Sequence, residues 1–371
     1  MSVEGVSDET LAALRLARTV GLGPLTFRRL IDRFGSAIAV IRGLDSGEIP
    51  RKGRSLALPS AAAARAEWAD AHGYGATLLS LTDPSYPTAL RAIEDPPPVL
   101  TLLGRGDLLT RPAVAIVGAR NASSAGLRLA ETLAADLGEA GCVVVSGLAR
   151  GIDGAAHKGA LKTGTIAVIA GGIDSIYPPD HADLYRAIGK QGLILAEDAI
   201  GRRAKGQDFP RRNRIVAGLS RVIVVVEAAE RSGTLITARM GNEQGREIGA
   251  VPGSPLDPRS AGTNRLLRSG ATLIRHAEDV LELLEQEHRA QPITLQELPS
   301  PYEAPQITED LKERVRNLLS VTPTSRDVLL RETGLAPGTL ADCLLDLLLD
   351  GHIEEVGGGA YALSIGGTGG R

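Results

Sequence analysis

The chain has 371 residues, 43% of them hydrophobic and 23% charged, and a formal net charge of -3. That length points to a core domain with one or two small satellites, and that composition excludes a wholly disordered chain. No apolar run approaches the ~20 residues of a membrane helix, and the opening MSVEGVSDET has no basic stretch leading into an apolar one, so a cytoplasmic protein without membrane insertion is expected.

The first ~80 residues read as helical. Leu11, Leu14, Leu16 and Ala17 form one apolar stripe, Val20-Gly21-Leu22-Gly23-Pro24 a turn, and Phe27, Leu30, Ile31 and Phe34 a second stripe ending at Gly35. Helix, Gly-x-Gly turn, helix is the pattern of a helix-hairpin-helix, whose turn can offer backbone N–H groups to a phosphate. The plainer alternative is a small bundle whose turn merely needs glycine. An Ala-rich helix follows near Ala61–Ala71, and the five prolines between Asp83 and Pro98 predict an extended connector.

From about Val99 short β-branched runs alternate with helical stretches: Val114–Val117, Cys142–Val145, Ile166–Ala170, Leu193–Ala196, Val222–Val226, Ile248–Val251 and an edge run at Thr272–Ile274. Runs of Val, Ile and Ala suit strands buried on both faces, and the intervals between them hold crossover helices, so the core is expected to be a doubly wound α/β parallel sheet. The only two cysteines, Cys142 and Cys343, lie far apart and exclude a disulfide framework. Residues 286–306 read as a Pro-rich linker, and residues 307–371 as three helices (about Glu309–Leu319, Ser325–Thr333, Pro337–Asp350) and a hairpin Ile353–Leu363, which make a winged helix-turn-helix. The Gly-rich tail after Ser364 reads as disordered.

Ligands of open α/β sheets bind beyond the carboxyl ends of the strands. Those ends carry Gly118-Ala119-Arg120, Ser146-Gly147-Leu148-Ala149-Arg150-Gly151, Gly171-Gly172, Glu227 followed by Arg231-Ser232-Gly233-Thr234, and Pro252-Gly253-Ser254. Glycine admits close approach to the main chain, the serines and Thr234 can cap helices whose first N–H groups attract anions, and arginine grips phosphate oxygens in bidentate fashion. Together they point to a phosphate-rich ligand. The first loop lacks G-x-G-x-x-G, because Arg120 stands at the second glycine, and no G-x-x-x-x-G-K-[ST] or Cys/His metal spacing occurs; neither NAD nor any other cofactor is expected.

Between Ile200 and Arg221 seven basic residues (Arg202, Arg203, Lys205, Arg211, Arg212, Arg214, Arg221) meet a single acid, Asp208, for a local charge of +6 that leaves about -9 for the rest of the chain. A basic groove beside an anion-binding edge fits a polyanion better than one small phosphate. Only Tyr177, Tyr185 and Phe209 could stack on bases within the core, so backbone capture tolerant of many sequences is expected.

The run from Val114 to Gly253, with VAIVGARNAS, VVSGLARGIDGAAHKGAL, FPRRNRIVAGLS and AERSGTLITARMGNEQGREIGAVPG, resembles the DNA processing protein A (DprA/Smf) family. The resemblance implies an extended Rossmann-like core at residues 81–285, a sterile-alpha-motif-like domain at residues 1–80, and a non-enzymatic protein. It further implies binding of single-stranded DNA, homodimerisation through the core, and loading of the RecA recombinase in natural transformation. Carried over, the DNA-binding positions fall on Gly118, Arg120, Ser146, Gly147, Arg150, Phe209, Arg211, Arg212, Arg214, Arg231, Ser232, Gly233 and Thr234. Arg231 departs from the lysine frequent there but keeps the charge.

Two alternatives compete. A hydrolase of the nucleotide phosphoribohydrolase type carries PGGxGTxxE, and here Thr237 stands where the catalytic acid belongs. A winged-helix transcription regulator would read DNA with the helix Pro337–Asp350, which carries Asp342, Asp346 and Asp350 and no Lys or Arg. Aligned carboxylates repel phosphates, so this module is expected to bind protein or to pack on the rest of the chain.

Overall fold

The computed structural model describes residues 5–47, 49, 57–290, 307–356 and 359–364. By internal contact the chain falls into two compact units, residues 66–292 and the pair of segments 1–65 and 293–371.

In the second unit, α1 (Asp8–Ala17), α2 (Pro24–Phe34) and α3 (Ala37–Ser46) occupy the amino-terminal segment, and α4 (Ala61–Gly73) follows them in sequence. Pro24 opens α2 at a position where its missing N–H costs nothing, and Gly35 ends it in the left-handed region at φ 82. Of the apolar stripes predicted from the sequence, Leu11, Leu14, Leu16, Phe27 and Leu30 are buried, and Ala17, Ile31 and Phe34 are partly buried.

The core carries a nine-stranded sheet in the order β1-β2-β6-β5-β4-β3-β7-β8-β9. Its strands are β1 (Thr77–Ser80), β2 (Val99–Gly104), β3 (Ala113–Val117), β4 (Val143–Ser146), β5 (Thr165–Ile169), β6 (Leu193–Ala196), β7 (Val222–Val225), β8 (Glu247–Ala250) and β9 (Thr272–Leu273). All seven runs expected from the sequence are present and pair in parallel. Every residue of β3 to β7 is buried, as expected of strands covered by helices on both faces. Around them lie α5 (Thr88–Arg91), α6 (Ser124–Glu139), α7 (Ile152–Ala160), α8 (Ala182–Gln191), α9 (Asp208–Leu219), α10 (Thr234–Glu243), α11 (Ala261–Arg268) and α12 (Ala277–Ala290).

Two strands of the core sheet escaped the sequence reading, as did the short β10 (Thr324–Ser325) of the carboxy-terminal module. β1 and β2 extend the sheet antiparallel beyond β6. The proline-rich stretch before β2 is not simply extended, for it holds the one-turn α5 and the fully buried Tyr86, whose hydroxyl donates to the Pro97 carbonyl at 2.9 Å.

The carboxy-terminal module folds as α13 (Glu309–Asn317), β10 (Thr324–Ser325), α14 (Arg326–Thr333), α15 (Pro337–Leu349) and the antiparallel hairpin β11 (Ile353–Val356) with β12 (Ala360–Leu363). This is the winged helix expected from the sequence. The interval 291–306, most of the expected linker, and the Gly-rich tail lie outside the described residues. Within its own unit the module packs against α2: Arg29 donates to the Ala341 carbonyl at 3.0 Å, Arg33 meets Asp346 at 3.1 Å, and the Thr26 hydroxyl donates to the Glu355 carboxylate at 2.6 Å.

Candidate nucleic-acid interface

From β3 the strand order runs one way through β4, β5 and β6 and the other way through β7, β8 and β9, so the topological switch point lies between β3 and β7. Loops leaving adjacent parallel strands in opposite directions part there and leave a crevice. A groove of about 800 Å³ fills it, lined among others by Gly118, Arg120, Asn121, Gly147, Phe209, Arg212, Asn213, Arg231, Ser232, Gly233, Thr234 and Thr237.

Nine of the thirteen candidate residues therefore converge: Gly118, Arg120, Gly147, Phe209, Arg212, Arg231, Ser232, Gly233 and Thr234. The Thr234 hydroxyl donates to the Gly118 carbonyl at 2.9 Å and ties the two loops across the switch point. Arg120 and Arg231 are exposed and form no ion pair with a described residue. The Arg120 guanidinium lies 5.6 Å from the centre of the Phe209 ring, and the Tyr177 ring, half exposed, stands 5.4 Å from the same ring. Two aromatic rings and an unpaired cation thus share one rim.

Arg212 forms part of the wall from beneath. Only 7% exposed, it donates to the carbonyls of Gly147 and Val168. Burial pushes its guanidinium down to about 10, with Asp153 opposing and Arg120 assisting that shift, so it remains a cation at neutral pH. Burial also raises the Asp153 carboxyl, against the pull of Arg212 and of the Ala149 and Gly147 N–H groups. Asp153 and Arg212 offset each other, which leaves Arg120 and Arg231 as the uncompensated charge.

Four candidates do not join the groove. Ser146 is fully buried and donates to the Ile116 carbonyl at 2.6 Å, bracing two strands. Arg150 pairs with Asp180 on the surface at 2.5 Å. Arg214, 5% exposed, is committed to Glu197 at 2.6 Å and Asp95 at 3.3 Å, and Arg211 shares Glu197 at 3.1 Å and Asp198 at 3.7 Å. Burial pushes the Glu197 carboxyl up, but the Arg214 and Arg211 guanidinium groups outweigh it and hold it below its ordinary value. The helical period of α9 explains the split, since consecutive arginines on a helix point in different directions.

The strand-end N–H groups also differ from the sequence reading. The Glu227 carboxylate accepts from the Ser123 N–H at 2.9 Å and hydroxyl at 2.5 Å, so an acid of the chain sits on the first turn of α6. Asp153 takes the N–H groups of Gly147 and Ala149 at 3.1 and 3.3 Å, and Asp198 that of Gly171 at 3.2 Å. Three predicted anion sites are filled from within. Two of the glycines serve packing as well: a Cβ at Gly118 would meet Ile152 at 2.5 Å, and one at Gly147 would meet the Arg212 guanidinium at 2.5 Å. Gly233, like Gly206, lines the groove with nothing within 4 Å of a Cβ position, and α10 starts at Gly233 with no acid in its first turn. The positive end of the α10 dipole beside Arg231 is the part of the rim open to an anion.

Sequence reasoning did not select Asn121 or Asn213, which also line the groove. Their signal was position alone, directly after Arg120 and Arg212. Nor did it foresee that Glu227, just beyond β7, holds Ser123, whose hydroxyl caps α6 by accepting from the Gly126 N–H at 2.9 Å.

Comparison with known proteins finds matches to all three parts of the chain. A family model described as DNA recombination-mediator protein A matches residues 77–285, a DprA-like N-terminal HHH domain matches residues 7–70, and a DprA winged helix domain matches residues 299–359. Protein Smf of Synechocystis sp. is 35% identical over 316 residues, covering 76% of this chain and 79% of that protein. DNA processing protein DprA of Streptococcus pneumoniae is 45% identical over 205 residues, or 55% of this chain and 72% of that protein. The X-ray structure of DprA from Streptococcus pneumoniae superposes with a TM-score of 0.62 at 32% identity, covering 75% of this chain and 98% of that one. A structure reporting the single-stranded DNA binding mode of DNA processing protein A from Helicobacter pylori gives a TM-score of 0.53 at 31% identity, over 57% of this chain and 96% of that one. With a match spanning the whole sheet and both flanking modules, the chain belongs to the DNA recombination-mediator protein A (DprA/Smf) family.

Proposed function

We propose that this protein is a recombination mediator that holds single-stranded DNA in the groove at the switch point. The carrying observation is the pair Arg120 and Arg231, exposed cations without a described carboxylate partner, on a rim that also presents Phe209 and Tyr177. Phosphates bind Arg120, Arg231 and the α10 amino end, Arg212 holds the wall beneath them through the Gly147 and Val168 carbonyls, and unstacked bases lie on the aromatic rings. A duplex keeps its bases stacked inside and offers these rings nothing. The groove holds Thr237 where a phosphoribohydrolase places its acid, which favours binding without turnover. Single-strand binding also accords with the Helicobacter pylori relative's reported ligand, whereas the wider role, loading RecA onto incoming single strands in natural transformation, rests on the family resemblance alone. Homodimerisation through the core accords with Leu273, 45% exposed on the sheet's outermost strand.

The test compares single-stranded DNA, duplex DNA and nucleoside monophosphates in anisotropy titrations, with product analysis of the monophosphates. Preference for single strands without turnover is expected. Equal affinity for duplex, or release of free base, overturns the reading.

A further inference from the structure

The contacts of α2 with the winged helix have a chemical pattern of their own. α2 starts at the Gly21–Gly23 turn, where a helix amino end and its dipole attract negative charge, and its first turn contains no acid. Along it stand Arg29 and Arg33, whose partners are the Ala341 carbonyl and Asp346 of α15. At its start, the Glu355 carboxylate accepts from the nearly buried Thr26 hydroxyl at 2.6 Å and lies 3.0 Å from the position a Cβ on Gly23 would occupy. The winged helix therefore sets a carboxylate on the helix start and another on the cation one face along, positions that phosphates of a nucleic-acid strand would take.

We propose that this acidic side of the winged helix is a built-in competitor, covering a second nucleic-acid surface on α2 that is distinct from the groove. Residue placement supports a competitive role over a purely structural one. The Arg33–Asp346 pair is half exposed, with side-chain exposures of 52% and 22%, and such pairs add little to stability and weaken with salt. Asp346 also shares Lys312 at 3.6 Å, so its release from Arg33 leaves it a partner. A polyanion, which gains by releasing its own counterions, can displace such contacts.

The experiment uses the full chain carrying Arg120→Ala and Arg231→Ala, which removes the groove's contribution. Into it go Glu355→Gln and Asp346→Asn together, and separately Asp342→Asn. Asp342 is exposed on α15 with no described partner, so its neutralisation changes charge without touching α2. Binding of a fluorescein-labelled single strand and of a labelled duplex is read by anisotropy. Expected is at least a fivefold gain for the Glu355/Asp346 variant on one or both probes, little change for Asp342→Asn, and loss of the gain when Arg29→Ala and Arg33→Ala are added. No gain, an equal gain with Asp342→Asn, or a gain that survives loss of Arg29 and Arg33 overturns the proposal. Thr26→Val, which deletes only one hydroxyl from the contact, provides a milder opening should the double change unfold the module, and it is expected to move binding in the same direction. Because both arms start without the groove cations, a failure here leaves the groove reading untouched.

Discussion

Arg120 stands over the Phe209 ring at 5.6 Å, two residues brought from the end of β3 and the start of α9 to one edge of the groove. They should fail in different ways. Arg120→Ala is expected to weaken binding of unrelated single strands alike and to reduce the salt slope by about 0.7 log units per log unit of salt. Phe209→Ala should cost about 1–3 kcal/mol of stacking and leave that slope unchanged. Titrations of two unrelated oligonucleotides over a salt series separate the outcomes; identical slopes in both variants would contradict the assignment.

Arg214 and Arg231 are both cations of the candidate set, yet one is enclosed with Glu197 and the other is exposed on the rim. Removing Arg214 takes the closer guanidinium from the buried Glu197 and leaves it to the half-exposed Arg211, so Arg214→Ala is expected to lower unfolding free energy by about 3 kcal/mol. Arg231→Ala should leave stability within about 0.5 kcal/mol and weaken DNA binding. Urea melts beside binding curves check both, and a fully stable Arg214→Ala protein would be the contrary result.

Glu227 closes the start of α6 through Ser123. Glu227→Ala leaves the Ser123 N–H and hydroxyl at the cap of α6 without their acceptor and opens space beside Gly126, so a loss of about 1–2 kcal/mol is expected. Inorganic phosphate should recover part of that loss by occupying the exposed helix start, which thermal melts with and without phosphate would show. A variant as stable as the parent in plain buffer would count against the capping role.

His157 is fully buried, its Nδ1 2.8 Å from the Thr165 hydroxyl and its Nε2 without a hydrogen-bond partner among the described residues. Burial, with the nearby His181 and Arg212 assisting, pushes it down to about 3 from 6.5. Between those values the unfolded chain takes up a proton that the folded one refuses, so stability falls as pH drops from about 6.5, by about 1.4 kcal/mol per unit. Unfolding titrations between pH 7 and 5 should show this slope in the parent and a flatter one in His157→Gln.

Much of the architecture was legible because it rests on local patterns. The Val/Ile/Ala runs identify strands whatever surrounds them, Pro24 and Gly35 bracket α2 by backbone chemistry, and helix-period stripes mark the winged helix. β1 and β2 were not legible: antiparallel edge strands beyond a proline cluster acquire their partners only from the sheet. The site divides along the same line. Residue types and their positions after the strands sufficed to nominate Arg120, Arg231 and Gly233 for a phosphate-rich ligand, and Phe209 came from the basic stretch as a ring that could stack on a base. Which charges remain available is a matter of neighbours distant in sequence. Glu197 takes Arg214 and Arg211, Asp180 takes Arg150, and Glu227 takes the Ser123 N–H at the start of α6. A cation's availability depends on where the nearest carboxylate folds, and only the packed chain decides that.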